Sequence, residues 1–326
     1  MHDDYRTPKG TLVTFDPARA AEFVRNGQVV AFPTETVFGL GALALDANAV
    51  QGIFAAKVRP ADNPLIVHGH TRGALDVAVD HWTDAARALG DGFWPGPLTV
   101  VVPRSTHVPN AVTAGLGTVG VRVPNHARAL AFLAAVGAPV AAPSANRSGR
   151  PSATRLEDVL ADLDGIIPCV LAEDAITTHG IESTVVDCTE AVPRVLRAGA
   201  IPLESVREVC PDATAVAADG SSGARSPGTL HPHYAPRARV TLVTGATELE
   251  GDAQTAWIGL REPPAPGPFA SVVVCRDVAD YAQRLFAFFR DADRAGLMRI
   301  LCETVPDEGL GTALMDRLRR AAEARG

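Results

Sequence analysis

The order of hydrophobic and polar positions predicts many short strands and fewer helices over residues 1–209. Apolar runs such as QVVAFP, LIVH and LTVVVP are typical of buried strands, and TVGVRVP alternates like a half-buried strand. Further strands are expected at PVAAPSAN, IIPCVLA, STVVDC and RVLRAG. Asp16 and Asp46 stand where helix N-caps are expected. Because strands outnumber helices and are not strictly interleaved, this part predicts an α/β fold with a twisted mixed sheet and flanking helices.

A different pattern begins after residues 210–236, which are rich in Gly, Ser, Pro and Ala and are typical of a linker. Beyond them RVTLVTG, AWIGL, SVVVC and LMRILCE predict strands, while YAQRLFAFFRDADRAG and LGTALMDRLRRAAEA predict amphipathic helices. Strands that alternate with helices favour a smaller, Rossmann-like parallel α/β domain over residues 237–326. We therefore predict two domains joined by a linker.

Composition and charge narrow the classes of function. The chain has 326 residues and a net charge of −7, which argues against a protein that binds nucleic acid along its whole surface but permits a local basic pocket. Its five cysteines are widely spread without CxxC or Cys/His pairs, so we expect reduced packing residues. No signal-peptide segment is evident, and the Ala-rich run from Ala129 is broken by glycine and proline. We expect a cytoplasmic protein without a membrane span.

The segment PTETVFGLG at the end of a predicted strand has two interpretations. The simpler one is a strand-to-helix turn, in which hydroxyls satisfy backbone donors and Gly39 and Gly41 supply permissive dihedral angles. The other is a ligand site, because α/β proteins bind ligands beyond the carboxyl ends of strands. The segment matches neither GxxxxGK[ST] nor GxGxxG, so a nucleotide site here would be of another kind.

Two further strand ends carry the same kind of polar loop, in APSANRSGRPS and HGIESTVVD, and each alone is typical of a turn. Convergence of the three would make a polar cavity for an anionic ligand, with cations nearby. The hydroxyl and amide residues are Thr34, Thr36, Ser144, Asn146, Ser183 and Thr184, and the cations are Lys57, Arg59, Arg122 and Arg197.

The cations have alternative roles. Lys57 and Arg59 are either favourable charges at a helix C-terminus or a clamp for phosphate groups. Arg122 is either a surface residue or a fork that binds a carboxylate. No histidine or carboxylate pair has metal-ligand spacing, so we expect no metal cage built by the protein. Neither Ser144 nor Ser183 has an evident triad partner, which disfavours covalent catalysis.

Six motifs taken together resemble the YrdC-type threonylcarbamoyl-AMP synthases: FPTETVFGLG, KVRPADNPL, PGPLTVVV, GVRVPNH, APSANRSGRPS and IESTVVD, in that order. SPGTLHPHYAP and GLGTALMDRLRRAA resemble the long form, which carries an extra C-terminal domain. The resemblance covers essentially the whole chain. Six ordered motifs are far more specific than any one of them.

The resemblance implies a reaction. L-threonine and bicarbonate or carbon dioxide form N-carboxy-threonine, whose carboxylate attacks the α-phosphate of ATP to give threonylcarbamoyl-AMP and pyrophosphate. Mg²⁺ is expected to arrive with ATP, bound mostly through phosphate oxygens and water. Other proteins then transfer the threonylcarbamoyl group to tRNA. The expected partners are ATP, L-threonine, bicarbonate and the downstream tRNA threonylcarbamoyl transfer machinery, without a membrane and without tight nucleic-acid binding.

The resemblance also implies roles for individual residues. Lys57 and Arg59 are expected to be catalytic through their charge. The expected threonine-binding residues are Thr36, His68, Arg122, Ala142 and Ser183. The expected ATP-binding residues are Arg59, Asn63, Thr118, Ser144, Ser152, Arg197 and Tyr234.

The chain departs from the family pattern at three places. Phe38 stands where tyrosine is commoner, Val58 replaces the usual glycine, and TLHPHYAP lacks basic residues often found before its histidine–tyrosine pair. We still expect the linker to cross the pocket with Tyr234, and the C-terminal domain to act as a lid over ATP.

Two alternatives remain open. An RNA-binding module of the same fold would retain RNA at physiological salt and consume no ATP, although the acidic net charge argues against it. Carbamoyl transfer from carbamoyl phosphate is performed by relatives fused to zinc-finger and acylphosphatase segments, and no such segments are evident here.

Overall fold

The computed structural model describes residues 3–215, 234–245, 251–264 and 267–324. Within these ranges the chain forms one sheet of twelve strands and a second sheet of four. Residues 216–233 of the predicted linker lie outside the described ranges. No helix among the described residues combines the length and apolar character needed to cross a membrane.

The first sheet is built from short strands: β1 (Tyr5–Arg6), β2 (Leu12–Thr14), β3 (Val30–Phe32), β4 (Gly39–Leu43), β5 (Ile66–His68), β6 (Leu98–Pro103), β7 (Thr118–Arg122), β8 (Val140–Ala142), β9 (Cys169–Leu171), β10 (Thr184–Asp187), β11 (Arg194–Arg197) and β12 (Thr214–Ala215). Their order is β1-β2-β9-β3-β4-β8-β5-β7-β6-β10-β11-β12. The sheet contains both parallel pairs, such as β5–β7, and antiparallel pairs, such as β6–β7. The predicted mixed sheet is confirmed.

Helices connect these strands: α1 (Pro17–Arg25), α2 (Ala47–Lys57), α3 (Asp84–Phe93), α4 (Asn110–Thr113), α5 (Ala127–Val136), α6 (Leu156–Leu163), α7 (Leu203–Val209) and a 3₁₀ helix at Gly73–Ala78. Asp16 and Asp46 cap α1 and α2 as predicted, because each side chain accepts hydrogen bonds from backbone N–H groups of the first turn. The hydrophobic pattern did not reveal α4, α6 and α7, since one or two turns give too little periodicity.

The segment PTETVFGLG joins two antiparallel strands, β3 and β4, so the prediction of a strand-to-helix turn was wrong. Neither Gly39 nor Gly41 has a positive φ. Close packing requires their lack of a side chain. A Cβ atom on Gly41 would lie 2.7 Å from Val140 Cγ1 and 2.9 Å from Phe32 Cε1. The glycines concealed this strand because residues without side chains carry no hydrophobic pattern.

The C-terminal domain contains β13 (Arg239–Val243), β14 (Thr255–Gly259), β15 (Ser271–Val274) and β16 (Arg299–Glu303), with helices α8 (Val278–Arg294) and α9 (Leu310–Glu323). The strand order is β13-β16-β14-β15, and every pair is parallel. This agrees with the predicted Rossmann-like parallel domain. The first sheet extends beyond the predicted boundary at residue 209, because β12 pairs with β11.

The C-terminal domain packs closely on the larger one. Val37 and Ile181, from two polar loops of the first domain, belong to the same apolar cluster as Phe286 of α8 and Leu314 of α9. Buried Arg290 of α8 also donates to Asp162 Oδ2 of the first domain at 2.9 Å. Apolar burial of this kind stabilises a fixed arrangement of the two domains.

Candidate active site

The three polar loops meet around one cavity. Thr36 lies between β3 and β4, Ser144 follows β8, and Ser183 precedes β10, and all three line it. The cavity encloses about 670 Å³, part of which is open to solvent. The convergence that the sequence suggested is therefore present.

The cavity brings together most of the predicted site residues. Its wall includes Thr36, Arg59, His68, Arg122, Ala142, Ser144, Ser152, Ser183, Arg197 and Tyr234. Lys57, Asn63 and Thr118 do not line it. Thr34 and Asn146, which the sequence marked as strand-end residues, line it as well.

Arg122 is a buried residue of the cavity wall, 4% exposed, so the interpretation as a surface arginine was wrong. Its Nη2 lies 2.8 Å from Glu35 Oε1, and its Nη1 donates to Thr36 Oγ1 at 3.0 Å. Burial alone would raise the pKa of Glu35, but Arg122 and the N–H of Asn125 hold that pKa below its usual value. A fixed guanidinium beside a hydroxyl can bind the carboxylate of an amino acid.

His68 stands opposite Arg122, because β5 and β7 pair in register at these two residues. Burial and the neighbouring Arg122 charge lower the pKa of His68 to about 3. The imidazole is therefore neutral at physiological pH. Nδ1 lies 3.1 Å from the Ile66 carbonyl, which fits an N–H donor at that nitrogen. The ring adds a neutral polar group beside the Arg122 charge.

Lys57 does not line the cavity but lies behind its wall. Its Nζ donates to the carbonyls of Ser144 and Asn146, and the residue is 1% exposed. Burial, followed by the charge of Arg59, lowers the pKa of Lys57 well below its ordinary value. The structure therefore places Lys57 beneath the Ser144 loop, where it holds that loop in position. Its catalytic role stays a prediction.

Arg59 lines the cavity, and its guanidinium donates to the carbonyl of Pro64 at 3.2 Å. Burial lowers the pKa of Arg59 to about 10, so the side chain is cationic at neutral pH. Val58 between the two cations has φ 53° and ψ 49°, in the left-handed region. Arg59 N–H bonds to the Phe54 carbonyl at 3.1 Å, which completes a Schellman-type helix end. This turn lies between buried Lys57 and the cavity residue Arg59.

Arg197 at the end of β11 fixes the third loop. Its Nη2 donates to the carbonyl of Ser183 at 2.8 Å and to Ser183 Oγ at 3.2 Å. Ser183 Oγ also lies 2.8 Å from Thr99 Oγ1 of β6. The guanidinium therefore places both a positive charge and an oriented hydroxyl in the cavity wall.

The sequence interpretation missed two polar wall residues, Glu182 and Arg150, as members of the site. Asn146 donates from Nδ2 to the carbonyls of Arg147 and Arg150, and its Oδ1 has no hydrogen-bond partner within the described part of the chain. That oxygen can accept a hydrogen bond from a ligand. A signal for the two missed residues was present, because Glu182 adjoins the selected Ser183 and Arg150 lies within the selected segment APSANRSGRPS.

Glu182 connects the cavity wall to the C-terminal domain. Its Oε1 accepts from Ser152 Oγ at 2.6 Å, and its Oε2 accepts from Arg317 Nε of α9 at 3.0 Å. Tyr234 lines the same cavity and stacks on Phe286 of α8, with ring centroids 5.2 Å apart. Nothing in the sequence indicated that Arg317 lies here, because 135 residues separate it from Glu182.

The residues around this cavity offer few side chains that could bind a metal ion directly. No group of three or more His, Cys, Asp or Glu side chains lies together among the residues that the structure describes. Glu182 is the carboxylate among the lining residues, and it already accepts from Ser152 and Arg317. That Mg²⁺ arrives with ATP stays a prediction.

Two family models match the chain. The model described as Telomere recombination, which groups Sua5, YciO and YrdC, matches residues 22–199. The model described as Threonylcarbamoyl-AMP synthase, C-terminal domain, matches residues 201–323.

Individual proteins match over nearly their whole length. A threonylcarbamoyl-AMP synthase from Pyrococcus abyssi is 43% identical over 93% of this chain and 93% of its own. One from Bacillus subtilis is 38% identical over 96% of this chain and 95% of its own. The crystal structure of P. abyssi Sua5 complexed with L-threonine superposes with a TM-score of 0.85 at 40% identity, covering 95% of this chain and 94% of that one.

Proposed function

This chain belongs to the Sua5/YciO/YrdC family and carries the threonylcarbamoyl-AMP synthase C-terminal domain, and from that premise we propose that it is a threonylcarbamoyl-AMP synthase. It would act as a nucleotidyltransferase that joins L-threonine, bicarbonate or carbon dioxide, and ATP, for modification of tRNA. The observation that carries the proposal is one cavity with two kinds of polar group. Arg122, His68 and Thr36 suit an amino acid, and Arg59, Arg197 and Ser144 suit phosphate groups.

In the proposed reaction the threonine amine and bicarbonate form N-carboxy-threonine with loss of water. Its carboxylate oxygen attacks the α-phosphorus of ATP, a new P–O bond forms, and the bond to pyrophosphate breaks. Negative charge builds on the phosphate oxygens and the leaving group, where Arg59 and Arg197 would stabilise it. The protein mainly holds two substrates in line, so no side-chain nucleophile is needed.

Mg²⁺ would enter as the magnesium complex of ATP, as part of the substrate. The protein side of the site would then consist of cations and hydroxyls. Arg122 would bind the threonine carboxylate, and Ser183 would be oriented toward the same ligand by its contacts with Arg197 and Thr99. Asn63 and Thr118 do not line the cavity, and their contacts with ATP stay a prediction.

Pyrophosphate release tests this proposal. The protein is supplied with Mg–ATP, L-threonine and bicarbonate, and each component is omitted in turn. We expect release only when all three are present. Arg59→Ala should reduce the rate strongly, while Arg72→Ala, which removes a surface ion pair with Asp91, should leave it unchanged. Release that does not depend on threonine, or equal rates in the two variants, would contradict the proposal.

A further inference from the structure

Arg317 belongs to the C-terminal domain, yet its guanidinium contacts the wall of the active-site cavity. The side chain is fully buried, at 0% exposure. Its Nε donates to Glu182 Oε2 at 3.0 Å, and its Cζ lies 5.4 Å from the centre of the Tyr234 ring. Because Glu182 and Tyr234 both line the cavity, Arg317 supports two wall residues from behind.

Glu182 places a buried negative charge beside residues proposed to bind a polyanion. It is 7% exposed, and Ser152 Oγ donates to it at 2.6 Å. Burial alone would raise the pKa of Glu182, but Arg317 and then Arg197 hold it below its usual value. The carboxylate is therefore ionised because a cation from another domain accompanies it.

Without that cation the ionised carboxylate would oppose nucleotide binding. It would repel the phosphate groups of ATP across a poorly hydrated wall, where charges are weakly screened. It would also compete with those phosphates for the charge of Arg197, which already couples to it. Removing one partner of a buried ion pair is costly because the remaining charge stays buried without compensation.

We propose that Arg317 is a positioning residue for the nucleotide site: it neutralises Glu182 and fixes Ser152 and Tyr234, so nucleotide affinity depends on the C-terminal domain. The inference rests on the proposed function, because it concerns the ATP side of the same cavity. It also assigns the C-terminal domain a chemical role, as the source of a counter-charge in the wall.

The test compares three variants of the full chain, Arg317→Gln, the double variant E182Q/R317Q, and Arg319→Gln as control. Arg319 lies on the same helix, is about half exposed and pairs with Asp307. Dissociation constants for Mg–ATP and for L-threonine are measured by calorimetry, together with the unfolding midpoint. R317Q should weaken ATP binding roughly tenfold to hundredfold and threonine binding by less than about threefold. R319Q should match the unsubstituted protein, and E182Q/R317Q should recover most of the affinity.

The pH dependence separates charge compensation from simple support. The charges of Arg317 from α9 and Arg197 from β11 act on Glu182, which also interacts with Tyr234. Asp316 of α9 pairs with Arg317, with its Oδ2 2.7 Å from Arg317 Nη1. In R317Q the pKa of Glu182 should rise, because burial then outweighs the remaining Arg197 charge. ATP affinity of R317Q should therefore recover as the pH is lowered from 8 to 6, relative to the unsubstituted protein.

The outcomes are distinguishable. If the unsubstituted protein binds no ATP, the proposed function is overturned and the inference falls with it. If it turns over ATP and R317Q binds ATP equally well, the inference alone is wrong. If R317Q loses ATP affinity in proportion to its loss of stability, without recovery in E182Q/R317Q, then Arg317 serves only to dock the C-terminal domain, and the inference is also overturned. If R317Q does not fold, the double variant E182Q/R317Q tests the inference. Charge compensation requires the double variant to bind ATP with nearly the affinity of the unsubstituted protein, and a weaker affinity overturns the inference.

Discussion

Replacing Gly180 with alanine tests whether the C-terminal domain is docked tightly on the active-site loops. Gly180 has φ +70° and lies three residues before Ser183 of the cavity wall. A Cβ atom there would lie 2.4 Å from Gln283 Cα and 2.4 Å from the Gln283 carbonyl oxygen of α8. Because both sides of this contact are backbone, no side-chain rotation can relieve it.

The magnitude follows from two separate costs. An alanine in the left-handed region costs about 1–2 kcal/mol wherever it occurs. The contact with Gln283 adds more, because the backbones must separate by about 1 Å to reach normal van der Waals distance. Overpacking of this kind typically costs about 1–3 kcal/mol. We therefore expect G180A to lose roughly 2–5 kcal/mol of stability.

Gly296→Ala is the matched control. Gly296 follows α8 with φ +68°, and no atom lies within 4 Å of the position of its Cβ. G296A therefore has the unfavourable backbone conformation of G180A but not its steric clash. Urea unfolding followed by circular dichroism should give G180A a larger loss than G296A, by roughly 1–3 kcal/mol. Pyrophosphate release should fall in G180A alone, since a displacement of about 1 Å can reduce a rate by roughly two orders of magnitude. Equal losses of stability and equal rates in the two variants would refute the docking.

Three further predictions concern single residues. Arg122→Lys keeps a positive charge beside Glu35 but loses the planar guanidinium fork. The KM for threonine should therefore rise roughly tenfold or more, while the KM for ATP changes less than about twofold. Equal changes in the two KM values would contradict the assignment of Arg122 to threonine. His68 has a folded pKa of about 3 against 6.5 when unfolded, so between these values only the unfolded chain binds the proton, and stability falls as the pH falls. Between pH 7 and pH 5 the free energy of unfolding should therefore fall by about 2 kcal/mol less in His68→Gln than in the unsubstituted protein. If urea unfolding shows the same fall in both proteins, the lowered pKa of His68 is refuted. Val58 is 65% exposed at φ 53°, so Val58→Gly should raise the free energy of unfolding by about 0.5–1 kcal/mol, and a loss of stability would refute strain at this residue.

Much of the fold was predictable because it is encoded locally. Apolar runs marked β3, β5, β6 and β7, and aspartates marked the starts of α1 and α2. The strand β4 was missed because two of its residues are glycines, selected for packing against Phe32 and Val140. The packing role of a glycine can be recognised only when the residues around it are known.

The site was predictable in kind but less so in detail. Hydroxyls at strand ends and scattered cations suggested a cavity for an anion, and the cavity exists. The directions of Lys57 and Arg59 could not be predicted, because a left-handed residue at Val58 turns the chain between them. Arg122 was ambiguous for a related reason. Alternation along a strand predicts on which face of the sheet the side chain lies, but not whether that face is buried or exposed.

The sequence by itself determined most of the strands and the longer helices, the caps of α1 and α2, and the residue types available for chemistry. These properties depend on a few neighbouring residues, through periodicity and backbone preference. Only the tertiary structure decided that Arg317 lies behind Glu182, that α8 touches Gly180, and that Lys57 faces the Ser144 loop. Such contacts join residues far apart in the chain, and they depend on how whole elements pack, which no local pattern specifies.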